Sequence, residues 1–180
     1  MIFEPVRPFV PGGYQIKWAT DPWEVSGAMA LRRDVFCAEQ GLFDASDRDA
    51  IDDFATPIVA LSSFVVATDA VVGTVRIHEE TPGVWWGSRL AVAQSHRRVG
   101  ALGASLIRLA VSSAHARGCT RFLAHVQAQN GPLFRRLRWR TLEEIELRGH
   151  PHLKMEADLA FYPPFETPQI GFLALTRRAA

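Results

Sequence analysis

Cysteine is scarce in this chain of 180 residues. Cys37 and Cys119 stand far apart, without the spacing of a metal knuckle or a Cys-x-x-Cys redox pair, so the expectation is two buried thiols kept reduced. A run of roughly eighteen apolar residues is also missing, which argues against a membrane-spanning helix. The first residues, with Glu4, Pro5, Pro8 and Pro11, lack the apolar centre of a secretory leader. Both absences point to a cytoplasmic protein. Charge of one sign is lacking too: 20 Lys and Arg against 19 Asp and Glu leave a formal net charge of +1. No global field therefore recruits nucleic acid or a membrane. Tyrosine is limited to Tyr14 and Tyr162, and no internal repeat or low-complexity segment is visible.

Apolar residues are plentiful, at 48% of the chain, enough for one domain with its own core over residues 1–180. Residues 1–13 read as an irregular proline-rich arm, 14–159 as the folded core, and 160–180 as a tail rich in Pro and Phe. That tail either packs across the domain or reaches a second copy, which would make a homodimer. A first strand is expected over Tyr14–Ala19. A helix follows to about Gln40, capped at Thr20 or Asp21, with Pro22 at its first position and an apolar stripe of Trp23, Ala30, Leu31, Val35 and Phe36. β-Branched alternation then predicts strands over Ile58–Ala67 and Val71–His78 about a turn at Thr68–Ala70, and a third over Val84–Val92. After a long helix ending at Gly118 come a strand at Arg121–Gln127, a short helix near Pro132, and a closing hairpin of Thr141–Leu147 with His152–Leu159.

Between the first helix and the second strand lies an acidic run, Asp44, Asp47, Asp49, Asp52 and Asp53. A calcium loop needs glycine at its sixth place and glutamate at its twelfth; counted from Asp44 these are Asp49 and Ala55, so no metal is assigned. A capped turn or short helix over a substrate pocket is the expectation.

The stretch Leu90–Gly118 carries the strongest functional signal. A strand end runs into the basic residues His96, Arg97 and Arg98, then into Gly100 and Gly103, then into an apolar helix. Such a helix start gathers unpaired N–H groups and the positive end of the dipole, which suits a phosphate-bearing ligand. A P-loop would need Gly-Lys-Ser/Thr, and a dinucleotide fingerprint would need three glycines and a later acidic residue; neither is present. Leu90-Ala91-Val92 followed by Arg97-Arg98-Val99-Gly100 resembles the pyrophosphate loop of the GCN5-related N-acetyltransferases, written Arg/Gln-x-x-Gly-x-Gly/Ala. It departs by one residue, since Leu102 stands at the second small position and Gly103 and Ala104 follow.

Asn130 and the segment Phe134–Trp139 resemble the second half of that signature, with Phe134 in place of its tyrosine. Runs at Val35–Asp44, Trp85–Val92, His125–Asn130 and Gly149–Leu159 resemble the bacterial group named nitrogen-starvation N-acetyltransferases. The first helix, with Arg33, Val35, Phe36, Glu39 and Gln40, is also similar to that of the related acyl-homoserine-lactone synthases, where this region roofs the acceptor pocket. Read from the residues alone, Arg33 and Glu39 are equally a solvated helix face.

The resemblance implies a layered α/β fold: one mixed, mostly antiparallel twisted sheet of six to seven strands flanked by helices. It implies an acyltransferase using acetyl-CoA and a small-molecule amine, possessing no nucleic-acid or membrane partner. Leu90, Ala91 and Val92 would hold the pantetheine arm, and an amide at Leu90 or Ala91 would stabilise the oxyanion. Arg97, Arg98 and the amides of Val99, Gly100, Ala101, Leu102, Gly103 and Ala104 would hold the pyrophosphate, with Asn130 and Phe134 along the lower arm. His152, Glu79 and Glu39 are the candidate bases. The basic run Arg135–Arg140 reads as a solvated face within reach of the 3′-phosphate. The missing tyrosine keeps two alternatives open: protonation of the thiolate by solvent, or an acyl-CoA-binding module without turnover. A synthase resembling the homoserine-lactone enzymes is the third reading.

Overall fold

The computed structural model describes residues 13–64, 67–98 and 101–175. Eight strands form one sheet: β1 (Gly13–Trp18), β2 (Thr56–Phe64), β3 (Ala67–Thr81), β4 (Val84–Val92), β5 (Arg121–Gln127), β6 (Trp139–Leu147), β7 (His150–Ala157) and β8 (Phe172–Leu175). Their spatial order is β6-β7-β5-β4-β3-β2-β1-β8. Every pairing is antiparallel except β4 with β5. The helices are α1 (Pro22–Arg32), α2 (Leu102–His115) and α3 (Gly131–Arg136). None of them is long and apolar enough to cross a membrane among the described residues.

The helix α2 lies on one face of the sheet, where Leu106, Leu109 and Val111 join Val75, Ile77 and Phe122 in the main core. Leu31 of α1, with Val35 and Phe36 in the helical segment that continues it, covers part of the other face, packed with Ala91. Its N-terminus is held by Glu24, which accepts from the amides of Thr20 and Asp21 and pairs with Lys17 at 2.7 Å.

Several expectations change. The turn expected at Thr68–Ala70 is part of β3, and register shifts in the β2–β3 pairing absorb the longer strand. Of the two courses expected for the tail, its described part takes the first and packs across the domain: Tyr162 is buried, and Phe172–Leu175 add an unexpected eighth strand against β1. Trp23 and Ala30 are exposed, and Ala28 takes the buried place on α1. Cys119 is buried and its thiol is pushed up to about 11, mainly by that burial, whereas Cys37 is only half-buried. Helix α1 also fails to run as one regular helix to Gln40. From Arg33 to Glu39 it widens into a π-helix, with Gln40 N–H donating to Val35 O at 2.9 Å, which re-phases the side chains at its end.

Candidate active site

The site grows from a fork between two strands. β4 and β5 pair in parallel from Val84 with Arg121 to Gly87 with Ala124, and then part. β4 carries a bulge there: its register with β3 passes from Ser88 opposite Arg76 to Ala91 opposite Thr74, so Arg89 and Leu90 share the place of one residue. Arg89 takes a left-handed φ of 58°. A bulge bends its strand and adds twist, which turns the end of β4 away from β5.

A cavity of about 480 Å³ runs through this fork. On the α2 face it is lined by Ile107, Phe122, Phe134 and Asn130. On the α1 face it is lined by Phe43, Arg76, His78, Trp86, His125, Arg148 and His152.

Strand periodicity explains the second wall. Arg76, His78 and Glu80 alternate along β3 onto one face, and Trp86 and Ser88 stand opposite His78 and Arg76 on β4. The His125 ring lies 4.9 Å from Trp86. Burial, then the Arg76 charge, lowers the His78 pKa; burial, then Lys154 and His152, lowers that of His125. Both imidazoles are therefore neutral at pH 7. His78 Nδ1 is buried with no hydrogen-bond partner.

The acidic run forms the floor of this wall. Ala50–Asp53 is a short 3₁₀ turn capped by Asp49, whose carboxylate accepts from Ile51 N–H at 3.1 Å. Arg32 binds Asp47 at 2.7 Å and Asp52 at 2.6 Å; Arg76 binds Asp49 at 2.6 Å and Asp52 at 2.7 Å; Arg89 binds Asp47 at 3.0 Å and Asp49 at 3.1 Å. Three guanidiniums thus answer three carboxylates. The Arg32 and Arg76 hydrogen bonds outweigh burial and hold Asp52 far below the usual carboxylate range.

The residues singled out for the cofactor fall around the fork. Leu90 lines the cavity, Ala91 is buried beneath α1, and Val92 O accepts from Arg97 Nε at 3.0 Å. Ala101 has a left-handed φ of 48° and sets the start of α2. Ser105 N–H is bonded to Ala101 O, so the amides of Leu102, Gly103 and Ala104 belong to the unpaired first turn. The Leu102 side chain is buried in the core, whereas a Cβ at Gly103 would meet nothing within 4 Å, which leaves that turn bare. Arg98 is exposed, and Val99 and Gly100 lie outside the described residues. Asn130 and Phe134 line the cavity, Phe134 edge-on to Trp139 at 5.0 Å. Of α2 itself, Ile107 and Ala110 reach the cavity.

The three candidate bases separate. His152 lines the cavity, its Nδ1 2.9 Å from His150 O. Glu79 stands on the opposite face and accepts from Gly83 N–H at 2.8 Å, because it alternates out of phase with His78 and Glu80. Glu39 spends both carboxylate oxygens on Arg97, at 2.5 and 2.7 Å, and that bond lowers its pKa. Gln40, beside it, accepts from Gln127 Nε2 at 3.0 Å, so the end of the π-helix reaches both arms of the fork. Neither tyrosine lines the cavity: the Tyr162 hydroxyl accepts from Trp139 Nε1 at 3.0 Å and donates to Leu137 O, and burial pushes it up to about 12. His78, His125 and Arg148 also line the cavity and are not among the candidates the sequence offers. The period-two spacing of Arg76, His78 and Glu80 was the signal available for the first of them.

The sheet is thus forked at β4–β5, its one parallel pair among the described residues, with α2 following β4 in the chain. The acetyltransferase (GNAT) family profile matches residues 17–137, and the chain belongs to that family. No curated protein matches its sequence significantly. Among solved structures the chain is similar to a Lactobacillus plantarum protein assigned as an N-acetyltransferase, at 23% identity and a TM-score of 0.71 over 80% of this chain and 97% of the other. It is similar to Escherichia coli ElaA at 19% identity and a TM-score of 0.66, over 81% of this chain and 98% of the other. It is similar also to BjaI, a CoA-dependent acyl-homoserine-lactone synthase, at 16% identity and a TM-score of 0.69 over 89% and 95% of the two chains. At these identities the likeness speaks for the fold.

Proposed function

We propose that this protein transfers an acetyl group from acetyl-CoA to the amine of a small metabolite. The observation that carries the reading is the cavity through the β4–β5 fork, lined from both faces of the sheet and by Ile107 and Ala110 of α2, the helix whose first turn is unpaired. Acetyl-CoA bound there supplies a thioester as the acyl donor. Leu90 and Val92 on one arm and Val126 on the other would flank its pantetheine. The amides of Leu102, Gly103 and Ala104, with Arg98 and a released Arg97, would take its pyrophosphate.

An amide at Leu90 or Ala91 is the donor to the carbonyl oxygen as charge develops. The amine must arrive neutral or lose a proton on the way. We assign that proton to an imidazole on the α1 face: His125, the first β5 residue beyond the last β4 pairing, with His152 on the neighbouring strand as the second candidate. The new C–N bond forms as the C–S bond breaks, and solvent protonates the thiolate, since Phe134 has no hydroxyl. A role in nitrogen metabolism follows only from the likeness of Val35–Asp44 and the three companion runs.

Thermal denaturation with and without saturating acetyl-CoA tests binding; free thiol released with a library of amines tests transfer. No shift in Tm sinks the proposal. A shift without thiol release favours an acyl-CoA-binding module. Lactone formed from acyl-CoA and S-adenosylmethionine favours the synthase reading, which the BjaI-like fold supports.

A further inference from the structure

We propose that Arg148 forms an oxyanion subsite at the α1 end of the cavity, so that the acceptor amine carries a carboxylate or a phosphate monoester. The inference rests on the acyltransferase reading, which gives that end of the cavity to the acceptor.

Charge accounting singles out this residue. Arg32, Arg76 and Arg89 are tied to Asp47, Asp49 and Asp52, and Glu80 accepts from Trp86 Nε1 at 2.9 Å. Arg148 lines the same cavity, and among the described residues no carboxylate lies within salt-bridge distance of it. Its guanidinium is nonetheless held. It sits 4.1 Å from the centroid of the Phe43 ring, which Arg89 approaches at 4.8 Å. Stacking restrains the long side chain while leaving its in-plane N–H donors unspent.

The backbone supports the same reading. Leu147 pairs with His150, so Arg148 and Gly149 are the two central residues of the β6–β7 hairpin, at φ 52° and 74°. That turn favours Asn, Asp or Gly at its first central position, and a long β-carbon-bearing cation is a poor occupant. Strain of this kind collects at ligand clamps. Among the described residues only Arg89, Ala101, Arg138 and Arg148 are left-handed without being glycine, and two of these four bring a guanidinium to Phe43. A restrained, unpaired guanidinium at the exposed rim of the cavity selects a planar or tetrahedral oxyanion.

The turn supplies its own control. Arg148→Gly removes the cation and relieves the backbone, so the variant keeps or raises Tm. The probes are amino acids matched with their decarboxylated amines, and ethanolamine phosphate matched with ethanolamine, titrated into CoA-saturated protein and followed by tryptophan fluorescence through Trp86. In the wild type the best anionic probe binds roughly tenfold to a hundredfold tighter than its uncharged partner, the range for a charged hydrogen-bonded contact. In the variant the gap closes to within about twofold while the uncharged partner is unaffected. Whether carboxylate or phosphate pairs show it names the source. The subsite is refuted by no preference in the wild type, by a preference that survives in Arg148→Gly, or by a variant that binds CoA more weakly but dephospho-CoA normally, which would give Arg148 to the cofactor. Thiol release is scored separately: anion-dependent binding without it retracts the acyl transfer and keeps the subsite.

Discussion

Replacing Asp52 with asparagine is expected to cost the fold about 3–5 kcal/mol at pH 7, the range for breaking a buried ion pair from one side. Asp52 accepts from Arg32 at 2.6 and 3.0 Å and lies 2.7 Å from Arg76. Its side chain is 8% exposed and both guanidiniums are 3% exposed, so water cannot take over the lost charge. Asparagine keeps one acceptor but turns an amide toward a cation, leaving Arg32, Arg76 and Arg89 to share Asp47 and Asp49. At about 2–4 °C per kcal/mol for a chain of this size, Tm should fall by about 6–20 °C by calorimetry. The pH dependence adds a second check. Because the folded-state pKa of Asp52 is depressed, its contribution is fully present above the unfolded value of about 3.9 and is lost as pH falls toward the folded one. The gap between wild type and variant should therefore stay constant from about pH 8 to 5 and narrow below about pH 4. A loss under about 1 kcal/mol at pH 7, or a gap that widens on acidification, would refute the buried network as a stabilising device.

Other perturbations report on the remaining parts. Gly171→Ala would place a Cβ 1.8 Å from Ile16 O at a residue with φ 68°, so β8 must leave β1; urea titration should show a loss of about 2–4 kcal/mol, and hydrogen exchange should show Phe172–Leu175 unprotected. Unchanged protection there would mean that the strand is held by other contacts. His125→Gln should lower kcat/KM by about 10²–10⁴, and the wild-type activity should fall as pH drops through a pKa below 6.5, a limb absent from the variant. A variant with the full acid limb would pass the base to His152 or His78. Glu39→Gln should tighten acetyl-CoA by roughly twofold to fivefold in calorimetry, because an exposed pair worth at most about 1 kcal/mol no longer holds Arg97. Weaker binding in that variant would mean that Glu39 orients Arg97 for the phosphate instead of competing with it.

What the amino-acid order determined by itself was local. The Asp21–Pro22 helix entry, the Gly118 cap at φ 84° and the strands at Val84–Val92 and Arg121–Gln127 are properties of neighbours in the chain, and each stands where it was expected. The cofactor side proposed for the site is drawn from the stretch Leu90–Gly118, so its residues could be named from neighbours in the chain. The side proposed for the acceptor is not contiguous. Arg32, Asp52, Arg76 and Arg89 come from four elements, and Glu39 finds Arg97 across 58 positions. Only the tertiary structure decided that Glu79 faces away while His78 faces the cavity, since one bulge or one residue of register exchanges the two faces of a strand. The same holds for the tail, whose four-residue β8 has no signal of its own and exists because β1 offers an open edge to pair with.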